Sequence, residues 1–164
     1  MISRKQLLCA ATIAAGIPVS TAIASTQTTT FQVTATVQTA CEINSASNLA
    51  FGAYTRQAID DATSNISVTC TNTTPYDVGL DAGTSTGATV TNRAMTGPGG
   101  ALLHYAMYSD ANRTVNWGNT VGVDTVHSIG NGSAQSLTVY GQIPSGQHPT
   151  PGAYTDTITV TLTF

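Results

Sequence analysis

The sequence predicts an all-β fold, two antiparallel sheets packed face to face, and three observations carry that prediction. Apolar residues recur with a period of two in run after run, the mark of strands with one buried face. The runs are short and separated by clusters of Gly, Pro, Asn and Asp, which tight reversals need. Beyond residue 24 the chain is rich in Thr, Val, Ser, Gly and Asn and poor in Leu, Glu, Lys and Arg. That composition favours strands over helices.

The first element is an address. Met1 to Ala24 reads as a secretory signal: Arg4 and Lys5 supply the positive charge, and Leu7 to Val19 the apolar stretch. Ala22-Ile23-Ala24 is the small-x-small cleavage site. Cys9 does not suit a lipoprotein signal, because Leu8 stands where a small residue is needed. Cleavage would leave residues 25–164, holding Arg56, Arg93 and Arg113, no lysine, and all eight acids. So few cations cannot form an electrostatic footprint for nucleic acid. No later apolar run approaches the roughly 20 residues of a membrane span. Cys41 and Cys70 would form one disulfide in an oxidising compartment, with two buried thiols as the alternative. Closing a loop of about 30 residues contributes on the order of 3–4 kcal/mol.

The strands follow in order. Phe31, Val33, Ala35 and Val37 alternate with polar residues in a run from about Thr28 to Val37. Next come Ile66, Val68 and Cys70; Tyr76, Val78 and Leu80; Leu103, Tyr105 and Met107; and Leu137 with Val139. The clearest run is the last, where Ile158, Val160, Leu162 and Phe164 alternate with threonines. Turn clusters lie between, among them Thr73-Thr74-Pro75, Gly97-Pro98-Gly99-Gly100 and Gly130-Asn131-Gly132. About seven short strands at this spacing imply a sandwich of immunoglobulin-like type, with Cys41 stapled to the strand ending at Cys70. If the first and last strands both pair inside one sandwich, nothing unusual follows. If the sandwich is a strand short, Ile158 to Phe164 border an open groove. The Phe31–Val37 strand of a neighbouring molecule could fill it.

Catalytic and metal chemistry find little support. His104, His127 and His148 stand far apart with no ligand partner at metal-binding spacing, and His104 reads as an outward-facing strand residue. Asp60 and Asp61 are adjacent on an extended chain, so they point opposite ways and do not suit paired acid–base work. No Gly-x-Ser-x-Gly elbow is present. The sequence therefore predicts no enzyme and no cofactor. A carbohydrate-binding module would use exposed aromatics, for which Tyr54, Tyr108 and Trp117 are the candidates.

Taken in order, these blocks resemble the spore coat protein U domain family, shared with pilins of archaic chaperone–usher systems. The resemblance rests on Cys41, Phe51-Gly52-Ala53-Tyr54, Ile66-Ser67-Val68-Thr69-Cys70, Pro75-Tyr76, Asn92-Arg93-Ala94-Met95, Trp117-Gly118, Val139 to Pro144 and Gly152 to Ile158. It implies an incomplete immunoglobulin-like antiparallel β-sandwich with an N-terminal donor-strand extension. The expected organisation is a signal peptide (1–24), a donor segment (25–38) and a pilin domain (39–164). It implies a structural subunit of a surface pilus, with a secreted spore or cell coat protein as the alternative. The implied partners are a periplasmic chaperone, an outer-membrane usher and neighbouring subunits. The chain would cross the periplasm and end at the cell surface. The donor residues would be Phe31, Val33, Ala35 and Val37, and the groove-facing strand would carry Ile158, Val160, Leu162 and Phe164. A chaperone would pair with that strand and anchor the Phe164 carboxylate with basic residues.

Overall fold

Alternating threonine and apolar residues build eight strands among the described residues of this computed structural model, which are 22–164. The expected signal peptide lies outside them except for Ala22 to Ala24. The strands are β1 (Cys41–Ala46), β2 (Asp60–Cys70), β3 (Pro75–Leu80), β4 (Arg93–Thr96), β5 (Leu102–Tyr108), β6 (Val126–Ile129), β7 (Ala134–Ile143) and β8 (Val160–Thr163). Their ladders are all antiparallel. One sheet has five strands in the order β1-β2-β7-β5-β4, and the other has three in the order β6-β3-β8. The fold is thus the two-sheet sandwich that the period-two pattern predicts.

The core forms where the inward faces meet. Ile66, Val68 and Cys70 of β2, Tyr76, Val78 and Leu80 of β3, and Leu103, Tyr105 and Met107 of β5 are all buried there. Val139 and Ile143 of β7 complete it. Trp117 joins from the β5–β6 connection, 1% exposed, with its indole N–H donating to the Val78 carbonyl at 2.8 Å. This corrects the expectation that Trp117 is a surface aromatic. Its neighbours Asn116, Gly118 and Asn119 suggest a surface loop, but burying a large ring and satisfying its one polar atom wins.

Arg93 opens β4 with no exposed surface. Its guanidinium donates to the carbonyls of Asp81 (2.7 Å), Val90 (2.6 Å), Leu80 (2.8 Å) and Trp117 (2.8 Å). Burial pushes its pKa down, and Tyr105, Asp81, Asp124 and Asp156 oppose that shift. A disulfide joins Cys41 to Cys70, which are direct register partners on β1 and β2, with Cα atoms 4.1 Å apart.

The chain divides into a first unit ending at Thr36 and a second, Val37–Phe164. The expected strand around Phe31 forms no ladder. Phe31 and Val33 are 86% and 85% exposed, Val37 is 87% exposed, and Ala35 is exposed as well.

Candidate assembly cleft

β8 is an edge strand. It pairs with β3 along one side, Val160 opposite Leu80 and Leu162 opposite Val78, and no described strand pairs with its other side. β1 is likewise an edge, bonded only to β2. Residues Glu42 to Ala46 of β1 are all exposed, Ile43 included. Two unpaired edges therefore border one opening between the sheets.

That opening is a cleft of about 570 Å³. One wall is the segment Ala46–Phe51, and the other is Tyr154–Ile158 continuing into Val160. The floor is the core itself: Ile66, Leu80, Met107 and Val139 line it. These floor residues stay 1–3% exposed, so the cleft reaches down to the core without baring it. Ile158, Val160 and Leu162 are half-buried against the core, while the threonines between them face outward. Ile158 and Val160 line the cleft. Phe164 is mostly exposed.

The wall before β8 is fixed by two carboxylates. Asp81 Oδ1 accepts the backbone N–H groups of Thr159 (2.9 Å) and Gly83 (3.0 Å), and the Asp81 N–H donates to the Thr159 carbonyl (3.1 Å). The expected strand at Ile158 starts only at Val160 because the Asp81 side chain takes this Thr159 bond in place of a backbone carbonyl. Asp156 Oδ1 accepts from the Thr84 N–H (2.8 Å), the Thr84 hydroxyl (2.9 Å) and the Thr157 N–H (2.8 Å). Tyr105 reaches over from β5 and donates its hydroxyl to Asp156 Oδ2 at 2.7 Å. Burial, then this bond, pushes the Tyr105 pKa up. Gly83 lies beneath this carboxylate at φ +84°, where a Cβ would fall 2.1 Å from Asp156 Oδ2. Only glycine fits there.

The opposite wall leans on Tyr105 as well. Phe51 meets its ring edge-on, with centroids 6.1 Å apart. Leu49 and Phe51 also sit over Gly141 of β7, where a Cβ would come within 2.6 Å of Leu49. Tyr105 thus touches both walls at one end of the cleft. The charged residue that lines the cleft among the described residues is Asp156.

The other residues read from sequence lie apart from this opening. Asp61 pairs with Arg113 at 3.2 Å and accepts from Gln142, while Asp60 points to the other face of β2. His127 meets Asp77 at 3.1 Å across β3 and β6. His148 meets Arg56. Gln147 covers His104 and bonds its backbone N–H and carbonyl, so His104 is half-buried on its outer face. Tyr54 donates to the Pro144 carbonyl and accepts from the Gln147 N–H. Among the described residues no group of three or more His, Cys, Asp or Glu could hold a metal ion. No helix among them is long and apolar enough to cross a membrane. The sequence reading took Asp81 only as a turn residue and gave Asp156 and the Ala46–Phe51 wall no site role, since a lone Asp carries no pattern of its own.

The Spore Coat Protein U domain matches residues 27–161. The chain belongs to that family. Among its relatives, "Protein U" of Myxococcus xanthus is 34% identical over 176 residues, spanning 98% of this chain and 98% of its own length. Among solved structures, this Spore Coat Protein U chain is similar to a chain in the CsuC–CsuE chaperone–tip adhesion subunit pre-assembly complex. That complex comes from the archaic chaperone–usher Csu pili of Acinetobacter baumannii. The match has a TM-score of 0.57 and 25% identity, and covers 79% of this chain and 40% of that one.

Proposed function

We propose that this protein is an exported structural subunit of a surface fibre, assembled by strand donation through a chaperone–usher pathway. The observation that carries this reading is the unpaired outer edge of β8 beside the cleft. A strand laid along β8 would supply the missing ladder and cover Ile158, Val160 and Leu162, which are half-buried. Main-chain bonds would give affinity, and alternate side chains would give register. A periplasmic chaperone holds the groove first. At an outer-membrane usher, the Phe31–Val37 segment of another subunit then replaces it. Burying Phe31, Val33 and Val37 contributes roughly 1.5–3 kcal/mol each, against the entropy of ordering a free segment.

Escort follows from the same geometry, because an apolar edge such as β8 is a template for aggregation. Head-to-tail donation does not close on itself, so the product is a filament. Such a filament at the cell surface serves adhesion or biofilm formation. A second reading, a secreted coat protein, is favoured by the end-to-end match with Protein U; it keeps the fold and changes the assembled product. The carbohydrate-binding reading keeps only one of its three aromatics, the half-buried Tyr108, since Trp117 is buried and Tyr54 is held by backbone bonds.

Deleting residues 25–39 tests the reading. The shortened chain is expected to accumulate with its chaperone and to add no further subunits. Filaments of normal length from that deletion would refute it.

A further inference from the structure

The cleft carries enough chemistry to fix how an incoming strand is aligned. Thr159 turns both its N–H and its C=O towards Asp81. Because β-strand backbone groups alternate sides, Thr161 and Thr163 also face β3, while Val160 and Leu162 turn theirs to the open edge. These are the residues whose side chains face inward. Every ladder among the described residues is antiparallel, and that pairing is the more stable per residue. Residues directly opposite in an antiparallel pair share a face. An occupant's apolar residues therefore lie directly opposite Ile158, Val160, Leu162 and Phe164.

Asp156 belongs to the same alternating set, two residues before Ile158, and lines the cleft. Its Oδ1 accepts three hydrogen bonds and its Oδ2 accepts one, from Tyr105. A carboxylate has about four acceptor directions, two on each oxygen, so Oδ2, with its single bond from Tyr105, keeps one. An apolar or acidic residue facing it would waste or repel that charge, while a hydroxyl would bond it.

We propose that the occupant is a second copy of this chain, in one register: Phe31 opposite Phe164, Val33 opposite Leu162, Ala35 opposite Val160, Val37 opposite Ile158, and the Thr39 hydroxyl on Asp156. This deepens the proposed function and rests on it. The segment from Ser25 to Ala40 bears no charged residue, so it enters beside a carboxylate without a buried charge clash. Its alternating set reads Phe, Val, Ala, Val and then Thr, matching four apolar positions followed by Asp156. Sliding the strand by two residues places Val37 against the carboxylate, or carries Phe31 past Phe164 with Cys41 facing Asp156.

Cross-linking between full-length variants co-expressed in the native host tests this. One copy carries Val33→Cys and the other Leu162→Cys, Val160→Cys or Phe164→Cys. A further pair combines Ala35→Cys with Val160→Cys. Directly opposite residues fall within disulfide reach, and those displaced by two do not. The expected result is an intermolecular bridge in the Val33–Leu162 and Ala35–Val160 pairs and in neither other. A bridge only in the Val33–Val160 or Val33–Phe164 pair overturns the register but leaves strand donation standing; a bridge in the Val33–Leu162 pair without one in the Ala35–Val160 pair overturns the strand direction. No bridge in any pair overturns both, as a foreign occupant would. Thr39 is exposed, so Thr39→Val leaves the fold intact; it is expected to speed subunit dissociation about tenfold, with Thr39→Ser restoring the rate. An unchanged rate in Thr39→Val overturns the contact with Asp156.

Discussion

Arg93 gives its hydrogen bonds to four carbonyls from three separate chain segments, and none of its surface reaches water. Removing it strands those carbonyls in the core. Arg93→Met is expected to cost about 3–5 kcal/mol, read by chemical denaturation, and Arg93→Lys does not rescue it because an ammonium cannot span the fork. Tyr105→Phe deletes one bond to Asp156 and is expected to cost about 1–2 kcal/mol. Asp81 carries a pH signature. Burial raises its pKa, but the bonds from Thr159 and Gly83 and the charge of Arg93 outweigh that and hold it below its ordinary 3.8. A carboxyl depressed in the folded state adds stability above its ordinary value and loses it as pH falls through the folded one. The stability gap between the native chain and Asp81→Ala is therefore expected to be full at pH 7 and to shrink below about pH 4. A constant gap across a denaturation series from pH 7 to pH 2 would contradict this.

At the scale of elements, the period-two pattern located β2, β3, β5, β7 and β8, because each presents one face to the core. It did not show β4 or β6, and β1 entered only as the strand at Cys41, through the disulfide. In β1, Cys-Glu-Ile-Asn-Ser-Ala has no buried face to pattern. β4 begins with an arginine, which reads as surface until four carbonyls surround it. β6 is four residues on an edge. The Phe31 run has a strand's pattern and no ladder, as a segment would whose partner is another molecule. Of the cleft, the sequence showed the β8 wall; the Ala46–Phe51 wall and the Asp156 end arise from contacts distant in sequence. Two measurements address these walls. Gly141→Ala pushes Leu49 and Phe51 aside, so it is expected to cost about 1 kcal/mol and to slow assembly, while an unchanged assembly rate would detach that wall from function. Replacing Cys41 and Cys70 by Ser is expected to cost about 3–4 kcal/mol, with β1 amides exchanging first.

For the whole molecule, among the described residues, the outer side of β8 is an unpaired sheet edge beside the cleft. In the proposed fibre, stability and function meet at that edge, since the subunit would gain its last ladder on assembly. Amide hydrogen exchange at Val160 and Leu162 reads this most directly. In the isolated subunit these two amides are expected to exchange quickly, with protection rising by orders of magnitude in the assembled fibre. Equal, strong protection in both states would mean that the sandwich is already whole, and would contradict the account.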